Sequence, residues 1–309
     1  MQVRGRWGVN LSLLVVVLVL GTFALMRPGK KEGEHQSPLL SLDLKALQSL
    51  TLENGEHIEF ERQNGTWRLV QPFPAAVNQA RVEQLLSIAS IIPAAEYPLP
   101  DASLRKGYGL SEPFARLSLG GAELEFGGTA PLDHRRYVRM AEKLYLLDDS
   151  FSHQLASKST DFVDKKLIPE DAAIHALILP GFRLSKSVEG VWTSTPELPP
   201  EQLQDLIMQW STSRAIEVRR GAPKVLGEKI DLETSAGPIR FSIYQKKPEL
   251  ILGREDLDLL FVMTGETARA LLNQPAASAP KNAAEAPVPP EHLEEKVIQD
   301  ERQDAHAHE

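Results

Sequence analysis

The stretch NGTWRLVQPFP, Asn64 to Pro74, recurs in altered form as EGVWTSTPELP, Glu189 to Pro199. Each copy carries Gly-x-Trp, a strand-like run and a proline-rich turn. Each then leads into a segment of helical periodicity, VEQLLSI (Val82 to Ile88) after the first and LQDLIMQW (Leu203 to Trp210) after the second. Apolar residues spaced by three and four predict amphipathic helices in both places. Asn78 is positioned to cap the first, because a short polar side chain ahead of a helix accepts from its free N–H groups. Pro199-Pro200 with Glu201 suits the first turn of the second, where a proline forfeits no hydrogen bond and an acid meets the positive end of the helix.

The repetition extends on both sides. YLLDDSFSHQL (Tyr145 to Leu155) aligns without gaps on FVMTGETARAL (Phe261 to Leu271), a strand followed by a short helix. Between these landmarks, AELEF (Ala122 to Phe126) and RYVRM (Arg136 to Met140) correspond to PIRFSIY (Pro238 to Tyr244) and ELILG (Glu249 to Gly253). All four are short alternating or apolar runs of strand type. The fold class expected is α+β: a duplicated unit of antiparallel strands with packed helices, joined through DFVDKKLIPEDA (Asp161 to Ala172). Within the first copy, KGYGLSEPFARLSL (Lys106 to Leu119) falls between the helix and the hairpin at Ala122. Its glycines allow positive φ and Pro113 restricts the approach to the strand, so it reads as a corner of the scaffold. VLGEKIDLETSAGPIRF (Val225 to Phe241) takes the same place in the second copy with different chemistry, which a catalytic loop would not do.

The amino terminus has a separate role. WGVNLSLLVVVLVLGTFALM, Trp7 to Met26, is 20 residues without a charge, which at about 1.5 Å per residue spans roughly the 30 Å of a bilayer core. It reads as a transmembrane helix in contact with inner-membrane lipid. A cleaved signal peptide is the alternative, but no small-x-small site closes the run and Arg27 follows directly. Flanking charges (Arg4 and Arg6 against Arg27, Lys30 and Lys31) are too balanced to orient it. From Gln274 the chain turns Ala/Pro-rich and then charged, with too little apolar surface to offset chain entropy, and is expected to be disordered. The divisions are therefore an anchor (1–31), a first unit (32–160), a linker with the second unit (161–273) and a tail (274–309).

Charge and composition exclude several functions. The net charge is −8. The tail holds eight acids against three bases, or −5, which leaves −3 for the rest and no basic field for nucleic acid. There is no cysteine, so thiol catalysis, disulfides and thiolate metal sites are excluded. No P-loop, dinucleotide fingerprint, HExxH or Gly-x-Ser-x-Gly is present, and no cofactor is implied. Ser103 and Lys106 form a Ser-x-x-Lys, but no Lys-Thr-Gly follows. His292, His306 and His308 in the tail are too sparse a set to define a metal site.

Two groups remain as candidate binding residues. Asp133, His134, Arg135 and Arg136 place a carboxylate, an imidazole and two guanidiniums on the rim of the Gly127-Gly128 turn. That set is suited to acid–base work or to holding an anion. The competing reading is a solvated hairpin edge whose charges discourage strand addition. Trp67 and Trp192 would serve as ligand platforms if exposed, and as core anchors if their equivalent places in the two copies bury them.

Gly-Thr-Trp at 65–67, Tyr-Gly-Leu-Ser-Glu-Pro at 108–113, FGGTAPLDHRRYVRM at 126–140 and KLYLLDD at 143–149 resemble the bacterial family called domain of unknown function 4340. The resemblance covers most of the first copy and, more faintly, the second. It implies a membrane-anchored envelope protein of the kind associated with gliding-motility-type ABC export systems, and it carries over no catalytic residue. The expectation is a non-enzymatic, single-pass accessory protein of a Gram-negative inner membrane, its body in the periplasm and an ABC permease or ATPase, or another envelope protein, as partner. The alternative is a periplasmic binding module for a cell-wall glycan or peptide. An uncharacterised hydrolase built on Asp133 and His134 is set aside for want of a second acid or nucleophile linked to them.

Overall fold

Asn64-Gly65 closes the hairpin that leads into Trp67. In the computed structural model of the chain, which describes residues 37–131, 133–221 and 227–272, both residues take positive φ, 52° and 82°. That is the geometry of a type I′ turn, whose twist matches the strands it joins. The expected span at Trp7–Met26, the tail from 274 and part of the second unit's corner lie outside the described residues. Among the described residues, no helix is long and apolar enough to cross a membrane.

The first unit contains β1 (Ser49–Glu53), β2 (His57–Gln63), β3 (Thr66–Gln71), β4 (Ala75–Ala76), α1 (Gln79–Ser87), β5 (Ala95–Pro98), β6 (Ala115–Leu119), β7 (Ala122–Thr129), β8 (Arg136–Met140), β9 (Lys143–Leu147), α2 (Ser152–Leu155) and α3 (Ser159–Phe162). The second contains β10 (Ile174–Leu179), β11 (Phe182–Lys186), β12 (Trp192–Thr195), α4 (Pro200–Thr212), β13 (Glu217–Arg220), β14 (Glu228–Thr234), β15 (Gly237–Gln245), β16 (Leu250–Arg254), β17 (Leu259–Met263) and α5 (Gly265–Leu271). Every strand pair is antiparallel within two sheets, ordered β4-β3-β2-β1-β6-β7-β8-β9-β5 and β12-β11-β10-β14-β15-β16-β17-β13. The two orders are the same once β4 is removed. The body is thus one strand-rich unit built twice.

Alternation explains which face each sheet buries. Leu50 and Leu52, Ile58 and Phe60, and Leu117 and Leu119 point inward, while the residues between them face solvent. Val82, Leu85 and Leu86 of α1 close over the first core, and Leu203, Leu206 and Trp210 of α4 do so in the second. Each large side chain so buried contributes about 1.5–3 kcal/mol. Asn78 caps α1 as its sequence requires, accepting from the Arg81 N–H. The indole N–H of Trp210 donates to the Leu271 carbonyl at 3.0 Å, tying α4 to the end of α5. On the solvent face, cross-strand ion pairs such as Arg139–Glu125 at 2.8 Å occupy the polar positions.

The linker after Asp161 is a structural element in its own right. On one side, Asn78 N–H donates to the Phe162 carbonyl at 2.8 Å and Asp164 N–H to the Ala76 carbonyl at 2.9 Å. On the other, Ala215 N–H donates to the Lys165 carbonyl at 2.8 Å and Leu167 N–H to the Ser213 carbonyl at 3.3 Å. Phe162 drives its ring into the first core, edge-on to Phe60 with centroids 5.1 Å apart, and Arg220 of β13 lies 4.7 Å over the ring of Phe73. The β4 side of the first sheet therefore meets the β13 side of the second, with the linker between them.

The Lys106–Leu119 stretch is a corner. Arg105–Tyr108 forms a single 3-10 turn, Gly109 takes φ 68°, and Leu110 is buried. The turn sits directly on the backbone of β7: a Cβ on Gly127 would come within 2.3 Å of the Tyr108 carbonyl oxygen. Gly127→Ala is expected to destabilise the body by about 1–3 kcal/mol. Gly107→Ala, whose Cβ would meet nothing within 4 Å, is expected to stay within about 0.5 kcal/mol of the parent. Urea unfolding midpoints of the two variants check both.

Candidate functional site

The Asp133–Arg136 cluster sits on the loop between β7 and β8, with His134 at φ 57° at its tip. Asp133 and His134 are exposed, but the Asp133 carboxylate already serves its own loop. It accepts from the Arg135 backbone N–H at 3.3 Å and pairs with the Arg135 guanidinium at 3.1 Å. Arg135 also reaches Asp148 at 3.0 Å. Arg136, the expected anion holder, turns inward instead. Its Nε and Nη2 donate to Asp149 Oδ2 at 2.8 and 2.5 Å, its Nη1 donates to the Gly127 carbonyl at 2.7 Å, and its guanidinium lies 4.6 Å over the Phe114 ring. Burial alone would raise the Asp149 carboxyl, but the hydrogen bonds from Arg136 and from Ser152 outweigh it and hold the group below its ordinary value. Through Arg135 and Arg136 the cluster braces the corner. Ser103 is exposed in a turn and Lys106 lies in the 3-10 turn beyond it.

The two tryptophans occupy equivalent strand positions and have different surroundings. Trp67 pairs across the hairpin with Arg62 and Trp192 with Lys186. Each ring carries its partner's cation, Arg62 at 4.9 Å and Lys186 at 5.7 Å. Trp67 is only 2% exposed, so it is a core anchor and cannot act as a platform, because α1 closes over it. Trp192 is half-buried and lines a groove of about 780 Å³ between β12 and α4, together with Val191, Leu198, Leu203 and Ile207. Val191 on the rim is 60% exposed. Of the six residues singled out in the sequence, Trp192 faces a cavity of ligand size.

One constellation has no sequence signal. Ser242 Oγ donates to Glu255 Oε1 at 2.6 Å, and Lys229 Nζ donates to both, to Ser242 Oγ at 2.8 Å and to Glu255 at 2.5 Å. These residues stand on or beside β14, β15 and β16, thirteen positions apart along the chain. They line an open cavity of about 610 Å³ with Asp231, Arg240 and Asp256. Hydrogen bonds from Lys229 and Ser242 hold the Glu255 carboxyl below its ordinary value, so it is a poor proton acceptor near neutrality. The trio braces three strands across the open face. Among the described residues, no three His, Asp or Glu side chains gather into a group able to hold a metal ion.

A family profile described as domain of unknown function (DUF4340) matches residues 67–234, 168 of the 309 residues. The chain belongs to this family. No curated protein and no solved structure matches it. The DUF4340 match begins at Trp67 and ends at Thr234, the last residue of β14. It therefore runs through the joint between the units and takes in the linker, the Asp133–Arg136 brace and the Trp192 groove.

What the DUF4340 sequence conceals about Trp192 lies in a neighbouring length difference. Twelve positions separate Trp67 from Gln79, and eight separate Trp192 from Pro200, the corresponding first residue of α4. The shorter connection is what leaves the second tryptophan uncovered.

The brace generates a pH dependence of known sign. Because the folded state holds the Asp149 carboxyl below its ordinary value, the pair's contribution is present above the unfolded-state pKa and is lost as the pH falls through the folded-state pKa. Asp149→Asn is expected to cost about 1–3 kcal/mol at neutral pH and to flatten the acid limb of a stability–pH curve. Thermal unfolding followed from pH 7 down to pH 2.5 checks it.

Proposed function

We propose that the protein is a non-enzymatic accessory of a bacterial inner membrane, held by a single span at Trp7–Met26 with its two-unit body in the periplasm. Its work is to hold a protein of an ABC-type export or envelope-assembly complex. The observation that carries this reading is the Trp192 groove, an apolar, solvent-open surface on a scaffold whose charged cluster is committed to internal ion pairs. The uncharged run of 20 residues supports the anchor, and resemblance to membrane-anchored envelope proteins supports the side on which the body lies. Five of the eight net negative charges fall on the tail sequence, which leaves the rest of the chain at −3.

A second reading, a periplasmic binding module for a cell-wall glycan or peptide, is favoured by one observation. The half-exposed Trp192 ring stands in a groove with Lys186 at its face, a platform of the type on which sugars and peptides stack.

Brief crosslinking in cells, gentle solubilisation and identification of what remains bound separates the two. Recovery of a permease and its ATPase, lost when residues 37–272 are deleted and the span kept, is the outcome expected. The protein recovered alone removes the accessory reading, and wall fragments in its place establish the binding module. Deleting residues 1–31 is further expected to release the body from the membrane fraction, which carbonate extraction and sedimentation will show.

A further inference from the structure

The two units part company at one sheet edge. In the first, the Trp67 N–H donates to Gln79 Oε1 at 2.8 Å, and its carbonyl accepts from Gln79 Nε2 at 2.9 Å, so its outward backbone is closed. β4 then lies along β3, pairing Arg68 with Ala76 and Leu69 with Ala75. Phe73, Ala75 and Val77 are buried and Pro74 and Ala76 exposed, the alternation of an added strand.

In the second unit, among the described residues, nothing occupies the same seat. β12 ends its sheet. Counted from the Ser187 N–H to Val191 carbonyl bond at 2.8 Å, ladder alternation turns the Trp192 N–H and carbonyl away from β11. Pro200 stands where Gln79 stands in the first unit and offers no side-chain amide. Of the four residues missing here, one corresponds to the β-bulge beside Phe60 in the β2–β3 pairing. The other three fall in the stretch that carries the covering strand. Ser194 replaces Leu69, with its hydroxyl accepting from the Leu198 N–H at 3.0 Å. Ser194, in the place of Leu69, lines the groove beside Trp192.

The composition of the edges points the same way. β13 carries Glu217, Arg219 and Arg220, and β5 carries Glu96 and Pro98, the charges and proline that discourage strand addition. β4 is covered by the linker. β12 reads Trp-Thr-Ser-Thr, uncharged and of high strand propensity.

We propose that β12 receives, as an added antiparallel strand, an extended uncharged segment of a partner protein. That segment sets an aromatic or branched aliphatic side chain at alternate positions into the groove between Trp192 and α4. Its backbone bonds to Trp192 and its alternate apolar side chains reproduce what Phe73–Val77 does for the first unit. This rests on the accessory reading in requiring a protein partner, and it names the surface and the chemistry of contact.

The test uses the full-length chain in detergent micelles and a fluorescein-labelled octapeptide, QPFPAAVN, with the sequence of Gln71–Asn78. Fluorescence anisotropy is expected to show saturable binding. The binding should weaken about tenfold or more with Val191→Glu, a rim change that leaves the core intact, and likewise when alternate peptide nitrogens are methylated. Ile207→Glu, with folding checked by its unfolding transition, serves as a second variant. No saturable binding, equal affinity for the methylated peptide, or displacement only by a peptidoglycan disaccharide would each overturn the proposal. Peptide binding without recovery of a permease or ATPase from cells keeps the strand site and removes the export reading. Recovery of those partners undiminished by Val191→Glu keeps the export reading and removes the strand site.

Discussion

The two-sided pairing of the segment Phe162–Leu167 is the constraint on which the arrangement depends. Its backbone bonds to Ala76 and Asn78 on one side and to Ser213 and Ala215 on the other, so the connection between units is a component of both. These four hydrogen bonds give backbone groups on both sides of the segment a partner where the units meet. Phe162 in the first core and Arg220 over Phe73 fix the approach from each side. The DUF4340 match crosses this joint, as expected if the joined pair is the functional body.

Duplication has left the two units with different edges. The first unit keeps its edge covered by β4, its tryptophan buried and its amide clamp at Gln79, and so supplies a closed scaffold. The second has surrendered four residues of the same connection and left an apolar groove with an aromatic wall. Such a surface costs exposure to water and invites association. The Arg136–Asp149 pair and the Lys229–Ser242–Glu255 trio, by contrast, take charged and hydroxyl groups out of play by spending them on one another.

Much of the fold was legible in the sequence because its signals are local. The Gly-x-Trp strand, the Val82–Leu86 helical face and the Asn78 cap each announce themselves within a few residues, and the repeat supplied the rest by analogy. β4 was not legible: two alanines after a proline have no strand propensity, and they pair only because Leu69 and the linker flank them. Nor was the linker, read as a connection because the sequence cannot show that both of its sides find partners. At the candidate site, sequence reasoning singled out Trp67 and Trp192 together, whereas burial divides them. The deciding signal, the gap of four residues before α4, was present but had meaning only once β4 was known. Arg136 looked available for an anion because Asp149, thirteen residues on, carries no mark of its role as counter-ion.

The joint between the units is head-to-tail: the β4 side of one faces the β13 side of the next. A contact of that kind does not close on itself, and if each unit offered both faces it would propagate from molecule to molecule as an open fibre. The first unit offers its successor the Ala76 carbonyl and the Asn78 N–H. The second has Pro199 and Pro200 at the matching turn, and neither has an N–H to give. The shorter connection before α4 therefore acts as a chain terminator, since the second unit lacks the backbone donor by which a further unit would dock in the same way.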